Sequence, residues 1–111
     1  VLAVFQPHGF GPTRFLREAL VETFKTSLAE NDVLWLPEIY YAGGTVTRNI
    51  SSADLVEGVA AGGRDARFVA DRTDIPGEIA AEARPGDLVL VMGARDPSLT
   101  DFCREILASL A

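Results

Sequence analysis

Short apolar runs alternate along this chain with longer stretches of helical spacing, and this alternation limits the folds that the chain can adopt. The apolar runs cover residues 1–5, 33–36 and 88–92, and residues 67–69 carry a weaker version of the same pattern. Strands that are apolar throughout are typical of parallel sheets covered by helices on both faces. The sequence therefore predicts an α/β fold.

Helical spacing predicts three helices in the segments between these runs. The first spans about residues 13–29, and the second covers residues 52–61 and stops at two glycines, whose missing side chains tolerate a left-handed cap. The third spans about residues 74–83, where Pro76 suits the first turn because its missing N–H would have no helical partner there.

A fourth helix is predicted from Ser98, whose hydroxyl should accept from an amide of the first turn while Asp101 reaches back to the Ser98 amide. Helical spacing also predicts which side chains face the core. On the first, second and fourth helices these are Phe15, Leu16, Ala19, Leu20, Thr23, Phe24 and Leu28; Leu55, Val56 and Val59; and Phe102, Ile106, Leu107 and Leu110. We also expect Trp35 and Phe68 to be core residues.

The 111 residues, 48% of them hydrophobic, suffice for one core, so we expect a single domain over residues 1–111. A formal charge of −6 argues against nucleic acid as a partner, because a phosphate backbone requires clustered Lys and Arg. No apolar run reaches the roughly 20 residues of a membrane span, so we expect a soluble, cytoplasmic protein with no membrane partner. Because the sequence starts in a predicted strand and without methionine, we expect it to be part of a longer chain.

The loop after the first predicted strand is a candidate binding site, because ligands of open parallel sheets collect beyond the carboxyl ends of the strands. Gly9 and Gly11 allow close backbone approach, and the helix start that follows favours an anion. Arg14 stands where a dinucleotide motif would have its third glycine, and no phosphate-binding P-loop follows. His8, the only histidine, could serve acid–base chemistry, contact a ligand or satisfy loop carbonyls.

Two further loops follow predicted strands. Glu38 and Tyr40 come after the second strand, where Glu38 could pair with an amino group or an arginine, or form an inert surface ion pair. Gly93 and Arg95 come after the last apolar run, and Arg95 could meet a phosphate. The neighbouring Asp96 is expected to cap the helix that follows.

One long connection is a further candidate for function, whereas other candidate chemistry has little support. The long connection over residues 37–51 predicts a functional loop or an extra edge strand near residues 45–47. Cys103 has no second cysteine or histidine nearby, which argues against a metal site or a thiol nucleophile. No Ser-His-Asp order or nucleophile elbow is present. We expect neither a catalytic residue nor a metal ligand in this chain.

Several segments, taken in order, resemble those of one enzyme family. Phe-Gln-Pro-His at residues 5–8, followed by Thr13 and Arg14, is similar to the family segment Phe-Gln-Pro-His-Arg-Tyr-x-Arg-Thr-Arg. Ile-Tyr-Tyr-Ala-Gly at residues 39–43 resembles its Val-Tyr-Pro-Ala-Gly loop, and residues 86–94 resemble its Gly-Asp-Leu-Val-Leu-x-x-Gly-Ala strand and turn. By these motifs the chain is identified as a member of the Mur ligase family, and it resembles the carboxy-terminal domain of UDP-N-acetylmuramate–alanine ligases.

The resemblance implies a Rossmann-like, three-layer lid domain of an ATP-dependent, ADP-forming ligase of peptidoglycan biosynthesis. In such enzymes a central domain holds ATP and Mg²⁺, the carboxylate of a UDP-N-acetylmuramate-type substrate is phosphorylated, and an amino acid or peptide amine attacks the acyl phosphate. The isolated domain should be inactive without that central domain. The residues implied on the amino-acid side are His8, Gly9, Gly11 and Arg14. Those implied along the cleft are Glu38, Tyr40, Gly93 and Arg95.

The first loop departs from the family motif at two arginine positions, which Gly9 and Pro12 occupy here. Their absence removes two guanidinium groups that could grip a carboxylate with paired hydrogen bonds. We therefore leave the joined amine open and expect Arg14, Arg48 or Arg95 to supply the remaining positive charge. One alternative is a non-catalytic Rossmann-like module that binds a nucleotide or phosphometabolite, and another is a remnant domain that has lost its activity.

Overall fold

The computed structural model describes residues 1–40, 50–94 and 96–111, and in them strands and helices alternate. The strands are β1 (Leu2–Gln6), β2 (Val33–Leu36), β3 (Asp65–Phe68) and β4 (Val89–Gly93). The helices are α1 (Phe10–Ser27), α2 (Ser52–Ala61), α3 (Ile75–Glu82) and α4 (Leu99–Leu110), and a short 3₁₀ helix, Arg72–Asp74, precedes α3. The predicted α/β class is confirmed.

Within the described residues the sheet has the strand order β3-β2-β1-β4, and every strand pair is parallel. β1 is a central strand, with Ala3 opposite Leu34 of β2 on one side and Leu90 of β4 on the other. Parallel strands joined by helical crossovers on both faces form a Rossmann-like domain. The strand predicted near residues 45–47 lies outside the described residues.

Helices cover both faces of this sheet. On one face α3 and α4 pack against β1 and β2 around Trp35, which is fully buried and donates from its indole nitrogen to Glu78 Oε1 at 3.1 Å. On the other face Leu34 and Leu36 pack with Leu55 of α2 and with α1. β2 is therefore buried along its whole length, which explains why its sequence is apolar without alternation.

Helix α2 occupies the predicted residues 52–61, and both of its ends are fixed locally. Ser51 and Asp54 form a reciprocal capping box, in which the Ser51 amide donates to Asp54 Oδ2 at 2.9 Å. The helix stops at Gly62, and Gly63 follows with a φ of 85°, a left-handed conformation that favours glycine. Pro76 lies in the first turn of α3, as predicted.

The capping interaction predicted for α4 is wrong. Ser98 is the N-cap residue, but its hydroxyl donates to Asp96 Oδ1 at 2.5 Å and accepts from Arg72 Nη2 at 2.5 Å. Asp101 instead pairs with Arg104 on the helix surface at 2.9 Å. Hydrogen bonds to charged partners are stronger than bonds to a peptide N–H, so the ion pair takes the serine hydroxyl.

Several residues predicted to lie in the core are exposed, and they are Phe15, Leu16, Ala19, Thr23, Phe68, Leu107 and Leu110. Helix α1 starts at Phe10, earlier than predicted, and its buried side chains are Phe10 and Thr13. Phe15, two positions after Thr13, lies on the opposite side of the helix and is 88% exposed. Phe68 lies on β3, an outer strand of the described sheet. Leu107 lies on the flank of α4 that borders the other outer strand, β4, and is 69% exposed.

Candidate functional site

The loop from β1 to α1 turns sharply at Gly9. This residue has a φ of 79°, and a Cβ atom there would lie 3.2 Å from Pro12 Cδ, so another residue would be strained by conformation and by contact. The Gly9 carbonyl accepts from Thr13 Oγ1 at 2.7 Å and from the Thr13 amide at 3.2 Å. The turn therefore separates β1 from α1 and leaves His8 in the loop just after β1.

His8 is held against the loop that follows β2. The Tyr40 amide donates to the Pro7 carbonyl at 2.8 Å, and the Gly9 amide donates to the Tyr40 carbonyl at 2.8 Å, so His8 and Tyr40 form a parallel bridge. Their ring centroids lie 5.3 Å apart. Two predicted loops are thus joined by backbone hydrogen bonds, and the half-buried imidazole has a defined place at the sheet edge.

Glu38 serves the start of α2. Its Oε1 accepts from the amides of Ile39 at 2.9 Å and Ser52 at 3.0 Å, and its Oε2 accepts from Ser51 Oγ at 2.7 Å. A carboxylate at a helix amino end satisfies amides that lack helical partners and is favoured by the helix dipole. This arrangement gives Glu38 a structural role beside its predicted position along the cleft.

Gly93, the last residue of β4, is closely packed. It lies opposite Gln6 of β1, and a Cβ atom on it would come within 2.6 Å of Leu99 Cδ1 and 3.3 Å of the Gln6 carbonyl oxygen. The missing side chain lets the start of α4 approach the end of β1.

An ion pair joins loops from all four strands at this edge. Arg72, which follows β3, donates to Asp96 Oδ2 at 2.6 Å and to Ser98 Oγ at 2.5 Å, both after β4. It also donates to Gln6 Oε1 at the end of β1, at 3.2 Å. Gln6 Nε2 donates in turn to the Glu38 carbonyl at 2.9 Å, and this bond connects the loop after β2 to the same network.

The Asp96 side chain in this network is fully enclosed. Burial by itself raises the pKa of Asp96, but hydrogen bonds from Ser98 and Arg72 outweigh it and hold the pKa below its ordinary value. The Arg72 guanidinium also lies 5.0 Å from the ring centroid of Phe102. Local sequence carries no signal for this network, because Arg72 is 66 positions from Gln6 and 24 from Asp96.

A groove of about 500 Å³ opens among β1, α1 and the end of β4. Its apolar lining includes Phe5, Leu16 and Leu20, and its lining at the sheet edge includes His8 and Gly93. The structure thus brings together residues from the first and third predicted loops. Such a concave, largely apolar surface with a few polar groups is typical of a site for a small ligand.

The other predicted site residues lie around this groove or outside the described residues. Gly11 is in the first turn of α1, and Arg14 is exposed one turn further along. Arg48 and Arg95 lie outside the described residues.

Residues 1–40, 50–94 and 96–111 carry neither a cluster of metal ligands nor a helix that could span a membrane. These residues contain no group of three or more His, Cys, Asp or Glu side chains that could hold a metal ion. The helices among them are too short or too polar to span a bilayer. Cys103 is exposed on α4.

Similarity to known proteins extends over most of the chain. A UDP-N-acetylmuramate–L-alanine ligase of Sorangium cellulosum is 38% identical over 97 residues, which are 86% of this chain and 20% of that protein. The ligase of the same name from Streptomyces avermitilis is 40% identical over 111 residues, all of this chain and 23% of that protein. The chain is homologous to a segment of the UDP-N-acetylmuramate–L-alanine ligases. The same ligase of Myxococcus xanthus is 38% identical over 94% of the chain.

The homologous segment spans about a fifth of the length of these ligases. No family model matches the chain. The homology confirms the resemblance to UDP-N-acetylmuramate–alanine ligases that the loop motifs indicated.

Proposed function

We propose that this chain is the carboxy-terminal, amino-acid-binding lid domain of an ATP-dependent, ADP-forming ligase. The complete enzyme would join a UDP-N-acetylmuramate-type substrate to an amino acid or peptide amine in cytoplasmic peptidoglycan synthesis. The observation that carries the proposal is the homology to UDP-N-acetylmuramate–L-alanine ligases over as much as the whole chain.

The groove beside His8 supports a role in seating the amine substrate. His8 follows β1 and Gly93 ends the neighbouring strand β4, and the carboxyl ends of strands are where open parallel sheets bind ligands. In the proposed enzyme, Arg14 supplies positive charge for the substrate carboxylate from the first turns of α1. ATP and Mg²⁺ would be held mainly by a part of the ligase outside this chain.

The hydrogen bonds between the loops at the strand ends would suit a lid that moves as one body. Backbone hydrogen bonds join the loops that carry His8 and Tyr40, and the Arg72 ion pair joins them to the loop after β4. Closure of such a domain would bring the amine to the acyl phosphate and exclude water, which would otherwise hydrolyse it. The chain by itself is then expected to be inactive.

ADP release by the complete protein tests this proposal. The assay contains ATP, Mg²⁺ and UDP-N-acetylmuramate with a panel of amino acids and short peptides, and each substrate is omitted in turn. Release that requires both the sugar nucleotide and an amine would support the ligase and identify the amine. No release with any member of the panel would favour a non-catalytic binding module or a remnant domain.

A further inference from the structure

The ion pair of Arg72 and Asp96 lies behind the groove and not in its lining. We propose that Arg72 is a positioning residue of the candidate site, which fixes the segment after β4 against the end of β1. Through these contacts it would hold His8 and Gly93 in their places in the groove. This inference rests on the proposed function.

One guanidinium makes all the connections that this role requires. Arg72 Nη1 bonds to Asp96 Oδ2 and Gln6 Oε1, and Arg72 Nη2 bonds to Ser98 Oγ. Asp96 and Ser98, both in the β4–α4 connection, are also bonded to each other, because Asp96 Oδ1 accepts from the hydroxyl and from the backbone amide of Ser98. A planar fork with several donors can hold three partners together, whereas a single ammonium cannot match this geometry.

The partners of Arg72 connect directly to the groove. Gln6 lines it, is 3% exposed, and lies opposite Gly93 in the sheet. Because a Cβ on Gly93 would lie only 3.3 Å from Gln6, the two strand ends are already in close contact. A shift of Gln6 would therefore move the groove wall beside His8, which lies two positions further along the chain.

Arg67 provides a matched control. It pairs with Asp65 at 2.9 Å and with Glu82 at 2.6 Å, and its guanidinium lies 5.2 Å from the ring centroid of Trp35. Like Arg72, it combines acidic partners with an aromatic ring. Its partners belong to β3 and α3, away from the groove lining, so its loss should lower stability without moving the site.

The test compares Arg72→Ala, Arg72→Lys and Arg67→Ala in the complete protein that contains this chain. Hydrogen exchange measures the amides of the non-proline residues in 6–9 and 96–99, and steady-state kinetics use the amine found by ADP release. We expect both Arg72 variants to raise the exchange rates of these amides by at least about tenfold more than those of the α2 amides. Both should also lower kcat/KM for the amine by at least about tenfold. Arg67→Ala should leave both quantities near those of the unsubstituted protein.

The outcomes separate the inference from the proposed function. Uniformly faster exchange in the Arg72 and Arg67 variants alike would mean that Arg72 only stabilises the fold, which overturns the inference. Unchanged exchange of residues 6–9 and 96–99 would overturn it too. If exchange is locally faster in the Arg72 variants but the unsubstituted protein releases no ADP, the positioning contacts are supported and the proposed ligase is overturned. If Arg72→Ala does not fold, Arg72→Lys decides the same question, because it keeps the charge and loses the fork.

Discussion

Replacing Asp96 by asparagine removes the charge that pairs with Arg72 while keeping the side-chain volume. Asp96 accepts from Arg72 Nη1 at 2.6 Å and from the amide and hydroxyl of Ser98 at 2.9 and 2.5 Å. An asparagine oxygen can keep the two Ser98 bonds, but its amide group then opposes the guanidinium, donor against donor. The substitution therefore leaves the Arg72 charge without its acidic partner.

The expected loss of stability follows from the burial of the ion pair. Removing one partner of a buried ion pair costs about 3–5 kcal/mol, and a hydrogen bond to a charged group contributes about 1.5–3 kcal/mol. The Asp96 side chain is fully buried, but that of Arg72 is 22% exposed, so water screens the charge that is left. We expect Asp96→Asn to lower the free energy of unfolding by about 2–3 kcal/mol at neutral pH.

The ion pair of Asp96 also predicts that the stability lost in Asp96→Asn depends on pH. The pKa of Asp96 is lower in the folded protein than its ordinary value, so its stabilising contribution is fully present above the unfolded pKa of about 3.9. That contribution is lost as the pH falls through the lower folded pKa. The stability difference between the original protein and Asp96→Asn should therefore be constant above about pH 5 and shrink below about pH 4.

Urea unfolding followed by the fluorescence of Trp35, the only tryptophan and fully buried, measures these differences. Asp101→Asn is the control, because Asp101 pairs with Arg104 at 2.9 Å but the two side chains are 75% and 73% exposed. Asp101→Asn should lower the free energy of unfolding by less than about 1 kcal/mol. Equal losses of unfolding free energy in the two variants would refute the role given to the buried ion pair. A stability difference between the original protein and Asp96→Asn that grows as the pH is lowered would refute it too.

Three further predictions concern stability and the site. Gly77→Ala should raise the free energy of unfolding by about 0.5–1 kcal/mol, measured by urea unfolding, because alanine favours the helix and its Cβ meets no atom within 4 Å. In the same assay the fully buried Leu55→Ala should cost about 2–5 kcal/mol, and the exposed Leu107→Ala less than about 1 kcal/mol. Arg14→Ala in the complete protein should lower kcat/KM for the amine by at least about tenfold, or about 1.4 kcal/mol, and unchanged kinetics would remove Arg14 from the site.

The strands and α2 are predictable because their signals are local. Continuous apolar runs mark β2 and β4 whatever their partners are, and serine and glycine at its two ends fix Ser52–Ala61 as a helix. The two glycine loops beside His8 and Gly93 follow from the same pattern, since strand ends must lie at one edge of a parallel sheet. The groove that joins them agrees with that expectation, while their contact with a ligand stays a prediction.

What sequence spacing misses depends on tertiary packing. The core side of α1 carries Leu20 and Phe24, whereas Phe15, five positions before Leu20, lies well away from that side at about 3.6 residues per turn. Leu107 has core spacing, but it lies on the flank of α4 beside an outer strand of the described sheet. The Arg72 network requires segments distant in sequence to meet, and that contact exists only once the sheet order is set.

The most direct test of an amine-seating lid is the pair of Michaelis constants of His8→Ala in the complete protein. The KM for the amine and the KM for UDP-N-acetylmuramate are each measured with the other substrates saturating. We expect the amine KM to rise by at least about tenfold while the KM for the sugar nucleotide stays within about twofold. An unchanged amine KM, with or without a shift for the sugar nucleotide, would contradict the assignment of this groove to the amine.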